Sequence, residues 1–420
     1  MNDLQDTVFS LPVVDTHAHV RQYDAMPQPM SAAALFNASG NLRQWWVSSG
    51  ALSRAEHRQM KQFEDWDQLS RAIDTIKATA FYRIFTAGLR SLYSIDFDEL
   101  DQRAFGELSD RIERAYADPG WYRTVIKEKS GVAVTCQDSR GEMDRTLFTP
   151  VARFDGYVWF GRAQWRASVV NKHGPDKTSS LRGLIECLEA DFDEAVQGGA
   201  CAIKNNSTWC RRLDFADVSE SEAERALADV LAAEHSQSSL VEKAGGGADI
   251  DPFDILGSFI MNRICELCAH YDIPLQLHTG PAGGTDHWID YGNPLHLNGL
   301  MLRHPNTKFV LFHAGGPWSN ECRELAVQFP NCYLDMCGVM AVEGIRTILD
   351  DWIERVPHTK IMWGTDANTA EEVYALVCSF RTVVARFLSQ RVDSGYLTAA
   401  SAVQVARALL SENAGRILRL

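Results

Sequence analysis

Residues 11–19 read LPVVDTHAH, an apolar run that ends in two histidines separated by one residue. A short Val-rich run closed by polar residues is typical of a β-strand. Because residues two apart in an extended segment point to the same side, His17 and His19 can bind one ion together. The stretch therefore predicts the first strand of the fold and the beginning of a metal site.

Seven further apolar runs follow along the chain, and helical stretches separate them. With the first run, at 11–16, they lie at 131–137, 149–154, 200–204, 273–278, 308–313, 332–336 and 360–365. The runs are almost continuously apolar, as expected for strands buried on both faces. Eight such strands predict an α/β fold of the (β/α)8 TIM-barrel class. A doubly wound open sheet is the main competitor, but no GxGxxG follows the first strand.

Two stretches exceed what a barrel needs. Residues 24–122 show helical periodicity, for instance at Leu69, Ile73 and Ile76, and predict a large helical insertion after the first strand. Residues 214–251 are rich in acidic side chains and predict a second insertion within the barrel. The barrel domain is then expected to comprise residues 1–23 and 123–420.

Composition excludes several classes of partner. The 420 residues include 41 Lys and Arg against 55 Asp and Glu, and the net charge of −14 disfavours nucleic acid and anionic lipid. No stretch approaches the ~18 apolar residues of a membrane span. Ten scattered cysteines in a chain of this size indicate reduced thiols. We therefore expect a cytoplasmic protein without nucleic-acid or membrane partners, whose helical insertion could serve as an active-site lid or as a contact in a homo-oligomer.

Metal-ligating residue types recur at the carboxyl ends of the predicted strands, where barrel enzymes assemble their sites. After His17 and His19, the ends of the fourth, fifth, sixth and eighth strands carry Lys204, His278, His313 and Asp366. The spacing agrees with the fold, since the 35 residues from His278 to His313 are close to one βα unit of about 31 residues. The lysine could instead form an ion pair. Together these residues predict a divalent metal site.

Five segments resemble the amidohydrolase superfamily. They are VVDTHAH at 13–19, LHTG at 277–280, FHAGGPW at 312–318, WGTD at 363–366 and ENAGRIL at 412–418. The resemblance is closest to the amidohydrolase-related branch, which also contains metal-dependent decarboxylases, and uronate isomerase is a more distant relative. It covers the predicted barrel and says little about the helical insertion.

The resemblance implies a role for each ligand-type residue. The two first-strand histidines and Asp366 bind one divalent ion, with zinc the expected metal. In mononuclear members His278 joins that ion, and His313 handles protons or polarises the substrate. In binuclear members a carboxylated lysine, here Lys204, bridges two ions, and His278 and His313 hold the second. The choice between one ion and two stays open.

The predicted chemistry is the hydrolysis of an amide or related C–N bond in a small molecule that bears a carboxylate. A bound divalent ion lowers the pKa of water from 15.7 towards roughly 7 and polarises a carbonyl oxygen. Asp366 is expected to act as general base and then as general acid, and His313 to stabilise the oxyanion. A uronate isomerase-like reaction on a sugar acid, or a non-oxidative decarboxylation, is the alternative. A non-catalytic barrel is least favoured, since no ligand position is missing.

Three further residues are candidate substrate contacts. Arg153, at the end of the third strand, could clamp a carboxylate, although an ion pair at the barrel rim is equally compatible. His287 lies in the Gly-rich stretch 280–294, which could close over the mouth, or it could simply pack there. Trp318 could line the pocket or pack within its loop.

Overall fold

The computed structural model describes residues 2–97, 99–138, 142–232, 252–281, 287–339 and 342–420, and it contains eight parallel strands in chain order. Each predicted run overlaps one of them. The strands are β1 (Val13–Ala18), β2 (Val132–Gln137), β3 (Phe148–Arg153), β4 (Ala202–Asn205), β5 (Leu275–Leu277), β6 (Phe309–Leu311), β7 (Cys332–Asp335) and β8 (Ile361–Met362). The predicted (β/α)8 barrel is thus confirmed.

Backbone hydrogen bonds just beyond β8 complete the ring. Neighbouring strands pair in parallel from β1 to β8. The amide of Asp366 then donates to the carbonyl of His17 at 2.8 Å, and the amide of His19 donates to the carbonyl of Ala367 at 2.7 Å. The segment after β8 therefore lies against β1, so that the two ends of the ring meet at the carboxyl-terminal mouth.

Helices fill the long connection between β1 and β2, as the periodicity predicted. After α1 (Asn2–Ser10), which precedes β1, they are α2 (Ala32–Ala38), α3 (Gly40–Ser49), α4 (Arg54–Arg58), α5 (Trp66–Ile76), α6 (Ala80–Tyr93), α7 (Gln102–Tyr116) and α8 (Trp121–Arg123). Polar side chains cap the starts of several of these helices. The side chain of Ser39 accepts a hydrogen bond from a backbone N–H in the first turn of α3, and the side chain of Asp65 does the same for α5. Leu69, Ile73 and Ile76 of α5 are buried.

The remaining helices surround the barrel. They are α9 (Asp155–Val158), α10 (Ala163–His173), α11 (Pro175–Thr178), α12 (Leu181–Gln197), α13 (Glu220–Ala232), α14 (Pro252–His270), α15 (Asn298–Arg303), α16 (Ser319–Gln328), α17 (Val342–Arg355), α18 (Ala370–Asp393), α19 (Ala399–Arg407) and α20 (Asn413–Ile417). The described residues of the short β2–β3 connection, 138 and 142–147, form no helix. Of the predicted acidic insertion, 214–251, the described part contains α13, and 233–251 lie outside the described residues.

The helical insertion is fastened to α18 by a buried carboxylate. Glu371 accepts hydrogen bonds from Tyr93 Oη at 2.7 Å, from Tyr116 Oη at 3.1 Å and from Trp121 Nε1 at 3.1 Å. The neighbouring Glu372 forms a capping box with Thr369 at the start of α18 and accepts a hydrogen bond from the Ser39 hydroxyl that caps α3. The start of α3 is therefore held beside the segment that follows β8, at the barrel mouth.

Two features of the structure bear on the predictions of reduced thiols and of no membrane span. All ten cysteines are unpaired thiols, and eight of them are buried. Within the described ranges, no helix combines the length and the apolar character needed to cross a bilayer. The thiols stabilise the core by packing rather than by cross-linking.

Candidate metal centre and active site

Three of the predicted ligands lie together at the barrel mouth. One ligand atom each from His17, His19 and Asp366 lies within 4.8 Å of the others. The Nε2 atoms of the two histidines are 3.3 and 3.4 Å from Oδ1 of the carboxylate. Ligand atoms bound about 2.1 Å from a tetrahedral ion are about 3.4 Å apart. The three side chains therefore fit one divalent ion.

A backbone carbonyl fixes the tautomer of His19. Its Nδ1 is 2.8 Å from the carbonyl oxygen of Asp138, the residue directly after β2. A carbonyl only accepts hydrogen bonds, so Nδ1 carries the proton and Nε2 keeps its lone pair. That lone pair faces Asp366, which is the arrangement a metal-binding histidine requires.

His278 and His313 form a second polar pair. Nδ1 of His313 is 2.9 Å from the carbonyl oxygen of Cys337, and Nε2 of His278 is 3.2 Å from that of Pro281. Both carbonyls require an N–H, so the remaining nitrogens carry lone pairs. These two nitrogens, His313 Nε2 and His278 Nδ1, are only 3.1 Å apart. Facing lone pairs repel each other, and the pair is therefore suited to bind a cation.

Lys204 is enclosed by the barrel. Its side chain is fully buried, its Nζ is 3.6 Å from the centroid of the Phe312 ring, and it has no hydrogen-bond partner among the described residues. The ion pair that the sequence left open for this lysine is not found in the described part of the chain. Burial lowers the pKa of the amine, although Cys337 and Asp138 partly oppose this shift. A lowered pKa favours a neutral, nucleophilic amine.

Burial of His278 makes stability depend on pH. Burial, aided by the charge of Lys204, lowers the pKa of this imidazole to about 3, against about 6.5 in an unfolded chain. Unfolding therefore takes up a proton below pH 6.5, and stability falls as the pH falls from 6.5 towards 3. In metal-free protein the loss at pH 5 should be about 2 kcal/mol from this group.

Urea unfolding of metal-free protein at pH 8 and pH 5 measures this contribution. His278→Gln should reduce the difference in the free energy of unfolding between the two pH values by about 2 kcal/mol. The exposed His270, at the end of α14, provides the control, and His270→Gln should leave the difference unchanged. An equal pH dependence in wild type and His278→Gln would contradict the assignment.

Two buried carboxylates brace the barrel beneath the mouth, and both were missed from the sequence. Asp15 accepts hydrogen bonds from the hydroxyl and the amide of Thr365, each at 2.7 Å. Asp335 accepts from the hydroxyl of Thr16 at 2.6 Å. Burial raises the pKa of Asp15 to about 7 and that of Asp335 to about 6, although these hydrogen bonds oppose the rise. The sequence signal for both residues was the presence of a carboxylate within an apolar strand run.

A cavity of about 630 Å³ opens above the ligand-type residues. His287 and Arg153 are on its wall, whereas Trp318 is not among the described residues that line it. Trp318 instead precedes α16, where its amide donates to the carbonyl of Gly315. Besides the histidines of the site and Asp366, the lining comprises Gly40, Asn41, Gln44, His57, Arg58, Arg153, Trp159, Trp165, Asn206, Trp209, His287 and Asn368. A role for Trp318 in substrate binding stays a prediction without support from the cavity.

Arg153 forms the ion pair that the sequence left open. Its Nη2 is 2.7 Å from Oδ2 of Asp155, and its Nε is 3.7 Å from Oδ1 of Asp138. Both carboxylates are buried. Burial alone would raise the pKa of Asp138, but the charges of His19 and Arg153 lower it overall. The guanidinium thus neutralises two buried anions beside the metal centre, and a contact with substrate remains a prediction.

The insertion supplies lining residues that the sequence did not reveal. Asn41 and Gln44 come from α3, and His57 and Arg58 from α4. Every strand of a barrel places its carboxyl end at the mouth, so residues at strand ends can be predicted to lie there. No comparable rule predicts which side chains of a helical insertion reach the mouth. The only signal was the position of the insertion after β1, which indicates proximity to the mouth and not which side chains reach it.

Gly338 allows Asp366 and His313 to approach each other. Both of these residues have left-handed backbone, with φ of 56° and 61°, and such strain is often found at functional sites. A Cβ at Gly338, whose φ is +69°, would lie 2.7 Å from Oδ2 of Asp366 and 2.8 Å from Nδ1 of His313. Only glycine permits this packing.

Gly338→Ala should therefore displace both side chains. We expect a loss of about 100-fold in kcat, since small misplacements of reacting groups have large effects, together with weaker metal binding. Gly395→Ala is the matched control, because Gly395 has a similar φ of +73° but open space where a Cβ would lie. Both variants should lose about 1 kcal/mol of stability from backbone strain. A wild-type kcat and metal affinity in Gly338→Ala would contradict the packing argument.

Comparison with known proteins agrees with the barrel and with the family resemblance. A family model described as amidohydrolase matches residues 210–420. Protein fluG of Emericella nidulans is 34% identical over 151 residues, which is 35% of this chain but only 17% of that protein. The chain therefore matches less than a fifth of the length of this relative.

Solved structures with the same barrel are similar along almost the whole chain. A protein of Lactobacillus casei described as a metal-dependent hydrolase is 18% identical with a TM-score of 0.69, and the match covers 99% of this chain and 97% of that one. Uronate isomerase from Thermotoga maritima is 16% identical with a TM-score of 0.80, and the match covers 99% and 96%. At these identities the likeness shows a shared fold.

Proposed function

This chain belongs to the amidohydrolase family, and on that premise we propose that it is a metal-dependent hydrolase of an amide or related C–N bond in a small, carboxylate-bearing molecule. The observation that carries the proposal is the group of His17, His19 and Asp366 at the barrel mouth, whose ligand atoms lie within 4.8 Å of one another. Two imidazoles and a carboxylate that leave a coordination position open are typical of catalytic rather than structural zinc sites.

The donor set suits a divalent ion, and zinc is the expected one. His17, His19 and Asp366 would hold the first ion. His278 and His313, with Lys204 buried nearby, would complete that site or hold a second ion. A bound divalent ion supplies a more acidic water and a polarised carbonyl oxygen.

The side chains of the site would carry the proton transfers. Oδ1 of Asp366 faces His17 and His19, so Oδ2 is available to accept a proton from the attacking water and to return it to the leaving nitrogen. In a site with one ion, His313 would stabilise the carbonyl oxygen as it gains negative charge. In the overall reaction water adds OH to the carbonyl carbon and H to the nitrogen as the C–N bond breaks.

Metal analysis and a substrate panel test the proposal. The purified chain should bind about one to two divalent ions, and zinc should restore the activity lost on chelation. The panel sets N-acyl and γ-glutamyl amides beside uronates and aromatic carboxylates, and release of free amine is the expected result. A chain that binds no metal even after reconstitution would contradict the proposal, as would aldose–ketose conversion or carbon dioxide release without amide cleavage.

Three further parts of the proposal concern the chain as a whole. The barrel domain comprises residues 1–23 and 123–420, with 24–122 as the helical insertion and 214–251 as the acidic one. Ten unpaired thiols support a cytoplasmic location. The exposed side chains of Trp45 and Met60 on the insertion support a homo-oligomeric contact there.

A further inference from the structure

We propose that the substrate of this site is a two-part amide, with an aromatic ring on one side of the scissile C–N bond and a carboxylate on the other. The inference rests on the proposed hydrolysis and names its substrate class. It follows from the two chemically different walls of the cavity, from their positions on the barrel and from the cavity volume.

The first wall is aromatic and comes from the segments that follow β3, β4 and β5. The rings of Trp159 and Trp165 pack edge to face with centroids 4.4 Å apart, and those of Trp209 and His287 lie 5.1 Å apart. All four residues line the cavity. Trp209 nevertheless remains 37% exposed. An indole exposed on a cavity wall gains stability when a flat apolar group covers it, and an aromatic ring adds a favourable stacking geometry.

The second wall is polar and comes from the insertion and the segment after β8. Asn41 and Gln44 are three residues apart on α3 and so share one face, and Arg58 of α4 and Asn368 join them in the cavity lining. Asn41 Nδ2 donates to the backbone carbonyl of Asp366 at 3.3 Å, which ties this wall to the metal centre. Guanidinium and amide N–H groups are typical partners of a carboxylate.

The charges of the lining agree with an anionic group in the substrate. Asp366 is the only carboxylate among the described lining residues, and it faces His17 and His19. Arg58 and Arg153 are the cationic residues of the lining. Arg153 is paired with Asp155, and Arg58 places a guanidinium, with its several N–H donors, on the polar wall.

The two walls face each other across the barrel. In a closed ring of eight strands β1 and β8 are neighbours, and β4 and β5 lie on the opposite side. The metal-ligating residues form the floor between them. A ligand that contacts both walls must therefore place its central bond over the floor, where hydrolysis would occur.

The volume is sufficient for both halves of such a substrate. A cavity of about 630 Å³ is in the range that binds drug-sized ligands. A substrate confined to one wall would leave the other in contact with water only. The aromatic and polar halves together explain why both walls line one cavity.

Matched amide pairs test the substrate class on the zinc-loaded full chain. N-(phenylacetyl)glycine and γ-glutamylbenzylamide place the ring on the acyl and the amine side, each one methylene away from the reacting group, and the comparison compounds replace phenyl by cyclohexyl. We expect kcat/KM to be about tenfold or more higher for the phenyl member of the productive pair, and that pair identifies the side that the ring occupies. Equal kcat/KM for phenyl and cyclohexyl members would overturn the proposed class while leaving hydrolysis intact.

Variants of the two walls separate their contributions. Trp209→Ala should lower kcat/KM for the phenyl substrate about tenfold and should change kcat/KM for the cyclohexyl compound little. Phe9→Ala, which removes an equally exposed aromatic ring outside the cavity, should change neither value. Arg58→Gln should raise the KM for the carboxylate substrate about tenfold and should leave the KM for the methyl ester of that substrate unchanged. Arg54→Gln on the same helix is the control. Loss of activity towards all compounds alike in either wall variant would contradict the assignment.

A binding measurement distinguishes failure of this inference from failure of the proposed function. Quenching of tryptophan fluorescence should show that benzoate binds the zinc-loaded chain more tightly than cyclohexanecarboxylate, and Trp209→Ala should remove the difference. If no amide is cleaved but this preference is found, the walls are supported and hydrolysis is refuted. If benzoate and cyclohexanecarboxylate bind with equal affinity, the proposed role of the aromatic wall is wrong, whichever reaction the chain catalyses.

Discussion

Asp366→Asn should lower kcat by about 10²–10⁴-fold while leaving the barrel folded. The amide side chain keeps the size and one oxygen of the carboxylate, but it cannot accept the proton from water or return it to the leaving nitrogen. The backbone change is small, because asparagine tolerates the left-handed φ of 56° at this position. The amide that donates to the carbonyl of His17 and completes the ring of strands is unchanged.

Turnover, metal content and circular dichroism should be measured together on Asp366→Asn. Metal binding should weaken without disappearing, since His17 and His19 remain, and the spectrum should match that of the wild type. Asp290→Asn is the control, because Asp290 is an exposed carboxylate outside the cavity lining. A variant that keeps more than a third of the wild-type kcat would refute the role of Asp366 as the proton-transfer group.

Glu371→Ala should lower the free energy of unfolding by about 3–5 kcal/mol. The substitution removes the acceptor of three hydrogen bonds and leaves the hydroxyls of Tyr93 and Tyr116 and the indole N–H of Trp121 without it. Each unsatisfied buried donor costs about 1–3 kcal/mol. Because these donors belong to the insertion and Glu371 to α18, the loss falls on the contact between the insertion and the barrel.

Urea unfolding followed by circular dichroism measures the effect of Glu371→Ala. Tyr93→Phe removes one donor and keeps the acceptor, so it should cost only about 1 kcal/mol. The insertion should also become more susceptible to proteolysis in Glu371→Ala, since this carboxylate joins it to the segment that follows Asp366. A loss below 1 kcal/mol in Glu371→Ala would show that the three hydrogen bonds do not hold the insertion.

The barrel and its ligand-type residues could be predicted because their sequence signals are local. A strand buried on both faces requires a continuous apolar run, and the end of each run marks the mouth of a parallel barrel. His17, His19 and Asp366 stand at such ends, and the structure brings their ligand atoms together. The same reasoning placed Lys204 at the end of the fourth strand but left open whether it serves the metal site or forms an ion pair.

The cavity walls and the internal braces could not be predicted, since they depend on contacts between distant segments. The sequence left open whether Trp318 lines the pocket or packs within its loop, and in the structure it precedes α16 and is not among the described lining residues. Asn41 and Arg58 had no distinguishing pattern, yet they line the cavity because Ser39 and Glu372 hold α3 against the end of the barrel. Helical periodicity indicates that one face is buried and does not identify the surface against which it is buried.

By itself, the sequence determined the barrel, the family resemblance and the positions of the candidate metal ligands, because each follows from spacing along one strand or from one strand end to the next. Only the tertiary structure decided which tautomers the carbonyls of Asp138, Cys337 and Pro281 impose on the histidines, and which side chains of the insertion face the metal centre. The physical reason is that hydrogen-bond partners and cavity walls are properties of pairs of residues far apart in the chain. Their distances exist only once the ring of strands has closed and Glu371 holds the insertion beside it.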